Sequence, residues 1–392
     1  MAPFTLELVP IPAGRFDIST PSGTSEISCV VPFILKDGRS MIAMGRKDGV
    51  EIGIHQQANS RRLVLHIQNV THVAFIPDSG AFLVLADREL WVYDIESMVP
   101  TSLEKQRAAR ERERLSTRNV LWFRVGQYDG RTLVVFVTKE LDGCMFHVLE
   151  AMPGPGVRAD LRDFAQDIMI TNTSAMFFKP YTHFELPGEA RDIIFLGHNV
   201  LFIVCDRGGG GFRKTMITAT EGLTQSVAFP VLDTDHEQLA KHVATAKPLN
   251  VFSVPRAGSG VRKFEFLVCY DEFGLYVNVN GELSRPVGDA IIHWGGSVDR
   301  LMSHGNHFLL FSSRSIDIRA LDTGRVVETL PTQDIEGVWT AADCGCEVGE
   351  ASGLGSAALS PHLLAYCAMR ESGDCFGPGL LQLYGLQTKL DL

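Results

Sequence analysis

The sequence lacks the motifs that mark common catalytic and nucleotide-binding sites. It contains no GxSxG, no HExxH, no GxGxxG after a strand and no cysteine in a recognisable protease signature. The run Gly208–Gly211 followed by FRKT has Arg213 where a phosphate-binding loop requires glycine directly before the lysine. We therefore predict a protein that is not an enzyme and has no catalytic, cofactor-binding or metal-binding residues.

Positive charge and long apolar runs are also scarce. The 36 Lys and Arg are outnumbered by 46 Asp and Glu, and the formal net charge of −10 argues against the basic surface that nucleic-acid binding requires. No uncharged apolar run approaches the roughly 18 residues that span a bilayer. The N-terminal MAPFTLELVPIPAG has no basic region followed by an apolar stretch, so we expect no secretory signal and a cytoplasmic protein.

Cysteine is too sparse for a disulfide framework, with eight residues in a chain of 392. Most of the cysteines lie in or beside apolar runs, where a thiol behaves as a small hydrophobe. Cys344 and Cys346 lie in a Gly-rich stretch, with Cys367 and Cys375 downstream. A four-thiolate zinc site is the alternative there, but the CxC spacing is not that of the usual zinc knuckle. The sequence assigns no role to these cysteines.

A strand–turn–strand unit recurs along the chain. Its clearest copy is FEFLVCYDEFGLYVNVNG (264–281), where an apolar run meets a polar break and a second run alternates with period two. Seven apolar runs of this kind, each preceded by another candidate strand, begin at Met41, Phe82, Leu133, Phe202, Phe266, Phe308 and Leu363. Small antiparallel sheets must stack to bury their faces, and radial stacking is the closed solution. We predict an all-β fold, a seven-bladed β-propeller of four-stranded antiparallel blades.

Three segments stand apart from the repeats. Residues 1–26 are rich in proline, and only Phe4 to Val9 forms a candidate strand, which we expect to close the ring by completing the last blade. The propeller is assigned to residues 27–392. Within it, residues about 101–119 are predicted as a helical insertion because they are rich in Ala, Leu, Glu, Lys and Arg. A Gly/Cys-rich insertion is expected at about 343–360.

The predicted helical insertion carries a cluster of positive charge. Its residues form no apolar stripe, so the simplest interpretation is a solvated helix supported by pairs such as Arg107 with Glu111. The alternatives are contact with an acidic protein or with an anionic membrane surface. The candidate basic patch consists of Lys105, Arg107, Arg110, Arg112 and Arg114.

With the repeats identified, the chain resembles the citron homology (CNH) domain, in the version found at the C terminus of fungal Rho-type guanine nucleotide exchange factors. The most specific element is the Tyr-Asp-Glu-Phe strand with its Tyr-Val-Asn partner. The family-motif residues are Tyr270, Asp271, Glu272, Phe273, Tyr276 and Asn278. Supporting segments are ISCVVPF (27–33), NVTHVAFIPDSGAFLVLADRELWVYDIESMVP (69–100), FRVGQYDGRTLVVFV (123–137), HVLEAM (147–152), CYDEFGLYVNVNGELSRP (269–286) followed by IIHWGG, and IDIRALDTGRVVETL (316–330).

The resemblance implies a propeller that binds proteins rather than transforming a substrate. The expected partners are a Rho-family small GTPase, the exchange module of the parent protein, or both, in Rho signalling that supports cell-wall integrity and actin polarity. Recruitment to the plasma membrane at sites of polarised growth is expected through the parent protein. The chain contains no evident exchange domain, so we expect an excised fragment or a separate CNH protein.

Two alternatives remain at this stage. CNH domains also occur in vesicle-tethering proteins and in Ste20-type kinases, which would change the partners but not the chemistry. A propeller enzyme is the alternative from another class, because propellers can build active sites from scattered loop residues that spacing does not reveal. The partner, the binding face, any dependence on nucleotide state and the oligomeric state are not fixed by the sequence.

Overall fold

The computed structural model describes residues 6–10, 27–55, 57–99, 112–116, 119–152, 177–196, 199–205, 211–232, 234–256, 263–332, 335–340, 363–370 and 381–388. These residues form seven four-stranded antiparallel sheets. The predicted fold class is confirmed: the chain is a seven-bladed β-propeller. By contact density it divides into two compact units, one of residues 1–186 with 339–392 and the other of residues 187–338.

The first unit holds the first three sheets and most of the seventh, whose residues 335–338 belong to the second unit. The first comprises β2 (Ile27–Ile34), β3 (Ser40–Arg46), β4 (Val50–Ile54) and β5 (Arg62–Leu65), and the second β6 (Val70–Ile76), β7 (Ala81–Ala86), β8 (Glu89–Asp94) and β9 (Arg112–Ser116). The third comprises β10 (Val120–Tyr128), β11 (Arg131–Lys139), β12 (Gly143–Ala151) and β13 (Phe178–Pro187). The seventh is ordered β26 (Ile335–Thr340), β27 (Leu363–Arg370), β28 (Leu381–Thr388) and β1 (Leu6–Pro10). A short helix, α1 (Ile95–Met98), follows β8.

The second unit holds the remaining three sheets. The fourth comprises β14 (Ala190–Phe195), β15 (Leu201–Cys205), β16 (Phe212–Thr218) and β17 (Gly222–Phe229). The fifth comprises β18 (Pro248–Arg256), β19 (Lys263–Tyr270), β20 (Phe273–Val277) and β21 (Ile291–His293), and the sixth β22 (Arg300–His304), β23 (His307–Phe311), β24 (Ser315–Ala320) and β25 (Val326–Pro331). Two helices, α2 (Glu237–Thr245) and α3 (Val287–Ala290), lie in the connections before β18 and before β21.

The seven apolar runs of the sequence are the second strands of the seven sheets. Every residue of Ala81–Ala86 is buried, as are four of the five residues of His307–Phe311. Such strands are continuously apolar because both of their faces are covered. Strand β25 (VVETLP), in which no residue is buried, contains polar residues as well. Each apolar run of the repeat therefore corresponds to a buried strand.

The seventh sheet joins the two ends of the described chain. The strand expected between Phe4 and Val9 is β1, which pairs antiparallel with β28 from Leu6 opposite Thr388 to Pro10 opposite Tyr384. In the same sheet Gln387 donates a 3.0 Å hydrogen bond to the Glu7 carboxylate.

The helical insertion predicted at about 101–119 is wrong where the structure describes it. Arg112–Ser116 is strand β9, which pairs with β8 and buries Leu115 completely. Pairing with β8 and burial of one leucine outweigh the modest helix propensity of the neighbouring Arg and Glu residues. Residues 101–111, 117–118 and the Gly/Cys-rich insertion with Cys344 and Cys346 lie outside the described residues.

Candidate interaction site

The family motif begins at the tight connection between β19 and β20. The rings of Tyr270 and Phe273 are both buried and stack at 4.9 Å between centroids, with an interplanar angle of 22°. Phe212 of the fourth sheet packs edge-on against Tyr270 at 5.7 Å. Burial raises the pKa of the Tyr270 hydroxyl. The two aromatic residues therefore anchor the turn in the hydrophobic core between the fourth and fifth sheets.

The two acidic residues of the motif join the segments on either side of the turn. The Asp271 carboxylate accepts a hydrogen bond from the Lys247 amide at 3.0 Å, and the Asp271 amide donates to the Lys247 carbonyl at 3.0 Å. The Asp271 carbonyl accepts from Val298 at 2.8 Å. Glu272 contributes its backbone, whose carbonyl accepts from the Trp294 amide at 3.0 Å, while its side chain is exposed. Asp271 is thus a structural clamp.

Tyr276 lies in the middle of β20 and is completely buried. Its hydroxyl donates to the Leu321 carbonyl at 2.9 Å, which links the fifth sheet to the sixth. The guanidinium of Arg285 lies over its ring, 3.4 Å from the centroid. Burial raises the pKa of this tyrosine, with smaller effects from Arg285 and Glu265.

A buried ion pair, which the sequence did not reveal, supports Tyr276. Glu265 of β19 is 3% exposed and accepts hydrogen bonds from the Ser284 hydroxyl at 2.5 Å and from the Arg285 guanidinium. A buried carboxylate needs such partners, since an unpaired charge in the core is costly. The signal in the sequence was the single Glu inside the apolar run FEFLVC, at a position that the period-two pattern assigns to a buried face.

Asn278 ends the motif at the far end of β20, away from Tyr270. Its side-chain oxygen accepts hydrogen bonds from the amides of Asn280 at 2.8 Å and Glu282 at 3.1 Å, and its amide group donates to the Glu282 carboxylate at 2.9 Å. This arrangement is an Asx turn, which fixes the loop after β20. Asn278 therefore shapes a turn.

Arg319 of β24 adds a further link that the motif does not contain. Its guanidinium donates to the carbonyls of Trp294 at 3.0 Å, His293 at 3.2 Å and Gly324 at 3.3 Å. The Trp294 indole in turn donates to the Tyr270 carbonyl at 2.8 Å. Burial lowers the pKa of Arg319, an effect that Asp317 partly offsets. Together these contacts join the fifth and sixth sheets directly, through side chains and backbone carbonyls.

The motif residues thus share one sheet but not one site. The connection between β19 and β20 is formed by Tyr270, Asp271, Glu272 and Phe273. Tyr276 lies within β20, and Asn278 shapes the turn after β20. Among the described residues, no group of three or more His, Cys, Asp and Glu side chains could hold a metal ion. No helix in the described ranges is both long and apolar enough to cross a membrane.

The candidate basic patch lies largely outside the described part of the chain. Lys105, Arg107 and Arg110 are outside it, and Arg112 and Arg114 are described only as backbone positions of β9. The patch stays a prediction.

A model of the family described as "CNH domain" matches residues 38–338, which include all six motif residues. The chain belongs to the CNH domain family. The resemblance to the CNH domain is therefore confirmed.

Two proteins of similar sequence are relatives of this CNH domain. It is 26% identical over 271 residues to Rho1 guanine nucleotide exchange factor 1 of Schizosaccharomyces pombe, a match that covers 69% of this chain and 18% of the relative. Rho1 guanine nucleotide exchange factor 2 of the same organism is 23% identical over 316 residues, covering 80% of this chain and 25% of the relative. The chain thus spans a quarter or less of these two proteins.

The fold of the CNH domain is shared with a solved structure, the AfRom2 CNH domain. The two superpose with a TM-score of 0.64 at 20% sequence identity, covering 98% of this chain and 99% of the other. This CNH domain is therefore homologous to those of fungal Rho guanine nucleotide exchange factors.

Proposed function

We propose that this CNH domain is a non-catalytic protein-interaction module of a Rho guanine nucleotide exchange factor. It binds a Rho-family small GTPase, the exchange module of its parent protein, or both, and regulates exchange in Rho signalling. The observation that carries the proposal is the match to the CNH family over residues 38–338, together with two relatives named as Rho1 exchange factors that align over 69% and 80% of the chain.

The described structure supports a binding role. Tyr270 packs against Phe212 of the fourth sheet, and the Tyr276 hydroxyl donates to the Leu321 carbonyl beside the sixth. These motif residues hold neighbouring sheets together, and the sheets support the loops between their strands. A pre-organised surface binds with little loss of conformational entropy. The domain acts in the cytoplasm and reaches the plasma membrane at sites of polarised growth through its parent protein.

The test measures binding and exchange separately. Calorimetric titration of the purified chain with GDP- and GTP-loaded Rho proteins, and with the parent exchange module, should give saturable binding to at least one of them. Release of a fluorescent nucleotide from the GTPase should be no faster with the chain than without it. The charge of −10 gives the domain a strong field, so binding should weaken as salt rises from low to physiological concentration.

Two results would count against the proposal. Accelerated nucleotide release would show that the domain is itself catalytic. Absence of binding to every Rho protein and to the exchange module would favour the vesicle-tethering or kinase-associated classes of CNH domain.

A further inference from the structure

The fourth sheet ends in a strand that differs from the other sheet ends. Strand β17 (Gly222–Phe229) pairs with β16 and with no other strand in the part of the chain that the structure describes. Its eight residues, GLTQSVAF, contain neither a charged residue nor a proline. The corresponding strands β1, β5, β9, β13 and β25 each contain a charged residue, and β21 has only three residues. Charge and proline are the usual devices that block an edge strand, and β17 lacks both.

The hydrogen-bonding direction of β17 follows from the ladder beside it. The Cys205 amide donates to the Gly211 carbonyl at 2.9 Å, one step beyond the pair Val204–Phe212. Hydrogen-bonded and non-hydrogen-bonded pairs alternate along an antiparallel ladder. Because Gly211 bonds to β15, Arg213 also bonds to β15, whereas Phe212 and Lys214 between and beyond them bond to β17. Their partners on β17 are Phe229 and Val227. The N–H and C=O groups of the intervening residues therefore point to the open side of the sheet.

Those intervening residues are Ser226 and Ala228. The Ser226 carbonyl accepts a hydrogen bond from the Arg213 side chain at 3.1 Å rather than from a strand, which agrees with an outward direction. Thr224, Gln225, Val227 and Ala228 are all exposed. The Arg213 guanidinium also donates to the Ser226 hydroxyl at 2.8 Å, so it covers this part of the edge. The edge thus presents the Ser226 amide, the amide and carbonyl of Ala228 and the uncharged side chains of β17.

An apolar surface with one cation adjoins this edge. Val227 lies directly opposite Lys214 in the ladder, so the two side chains share one side of the sheet. The Lys214 ammonium donates to the Val279 carbonyl at 2.6 Å, and the Val231 amide donates to the Gly281 carbonyl at 2.9 Å. The valines at 227, 231 and 279 are 40%, 49% and 47% exposed. Val227 thus lies opposite Lys214, Val279 accepts its hydrogen bond, and Val231 is bonded to the same loop as Val279.

Lys214 indicates which charge a group that binds at this surface would carry. Burial lowers the pKa of Lys214, which means that its ammonium has lost part of its hydration. An ammonium has three donors, and the Val279 carbonyl takes one of them. A carboxylate placed here would offset the lost hydration with a charge-assisted hydrogen bond.

We propose that the open edge of β17 is a docking site for an extended segment of a partner protein. The segment adds a fifth strand to the fourth sheet, bonding to the Ser226 amide and to the amide and carbonyl of Ala228, beside the Ser226 carbonyl that Arg213 already binds. On the side that faces Val227 it carries apolar residues and one carboxylate, which meets Lys214. Strand addition of this kind takes its affinity from main-chain hydrogen bonds and its specificity from alternate side chains. The site stands whether or not the domain binds a GTPase.

The test uses a fluorescein-labelled synthetic peptide, TVTETVT, and the full chain. Its pattern places Val, Glu and Val on one side and reads the same in both directions, so it suits parallel and antiparallel pairing. Fluorescence anisotropy should show saturable binding, and the peptide TVTKTVT should bind about tenfold more weakly because it sets a cation against Lys214.

Variants of the chain separate the edge from its surroundings. Ala228→Pro removes an outward N–H and leaves the bonds to β16 intact, so it should weaken TVTETVT binding about tenfold or more. Val227→Asp should do the same without risk to the fold, since Val227 is exposed. Lys214→Gln should weaken binding of TVTETVT but not of TVTKTVT, and Lys214→Arg should restore it. Val326→Asp, at a valine of β25 that is 52% exposed, should change nothing.

The proposal is overturned if the folded chain binds TVTETVT with no saturation, or if Ala228→Pro and Val227→Asp leave the affinity unchanged. It is also overturned if light scattering shows a dimer that Ala228→Pro dissociates, because a second copy of the chain would then be the occupant.

Discussion

Arg285 stacks on Tyr276, with its guanidinium carbon 3.4 Å from the ring centroid, while the same guanidinium pairs with Glu265. The arginine therefore balances a buried carboxylate and covers a buried ring. Arg285→Ala should lower the free energy of unfolding by about 3 to 5 kcal/mol, because it leaves Glu265 buried without its charge partner. Chemical denaturation of both proteins measures this difference.

The surface pair Glu237–Lys241 provides the contrast, with both side chains more than 70% exposed. Lys241→Ala should change stability by only about 0.3 to 0.5 kcal/mol. If Arg285→Ala is equally mild, water must reach Glu265 and the pair is not part of the core.

Substitution of Leu267 tests whether the apolar runs of the repeat are buried strands. It lies in the second strand of the fifth sheet and is completely buried, so Leu267→Ala should destabilise by about 2 to 5 kcal/mol. Leu141 is fully exposed in the turn between β11 and β12, and Leu141→Ala should stay within about 0.5 kcal/mol of the wild type. Equal effects of the two substitutions on thermal unfolding would contradict the assignment of the apolar runs to the interior.

His55 gives the first unit a dependence on pH. Burial lowers the pKa of His55, and the charge of Arg61 lowers it further. The unfolded chain therefore binds a proton at this site before the folded chain does. Its contribution to stability is complete above the ordinary pKa of about 6.5 and is lost as the pH falls below it.

The measurement compares denaturation midpoints from pH 7.5 down to pH 5 in the wild type and in His55→Gln. Stability of the wild type should fall more steeply with acidification. Parallel curves would show that His55 titrates alike in both states.

Gly281 tests the contact between the loop after β20 and the end of the fourth sheet. Its φ is +93°, and a Cβ atom there would lie 2.9 Å from the Val231 amide nitrogen and 3.0 Å from the Phe229 ring. Gly281→Ala should destabilise by at least about 1 kcal/mol more than Gly130→Ala, whose φ of +71° is similar but whose Cβ would meet nothing within 4 Å. Because both substitutions strain the backbone, the difference between their melting temperatures isolates the steric clash.

The sequence was sufficient for the second strand of each sheet, because burial on both faces removes polar residues and leaves an uninterrupted apolar run. It was not sufficient for β9. Its register against β8 is set by tertiary pairing, and the local composition of RERLS favours a helix in isolation. The motif residues were identified, but their role was not: the partners of Asp271 and Tyr276, namely Lys247 and Leu321, are 24 and 45 residues away. The pairing of Glu265 with Arg285 likewise depends on a turn that brings back a residue 20 positions later.

The pairing of β1 with β28 has a consequence for synthesis. Among the described residues, Leu6 emerges from the ribosome first and its partner Thr388 emerges last. At about 5 to 20 residues per second, β1 waits on the order of 20 to 75 seconds for its partner. During most of that interval β27 and β28 do not yet exist, so the sheet that β1 completes cannot form until they have been made. A domain in which β28 is delayed or damaged therefore leaves β1 unpaired, and the backbone groups of an unpaired strand are open to pairing with other chains.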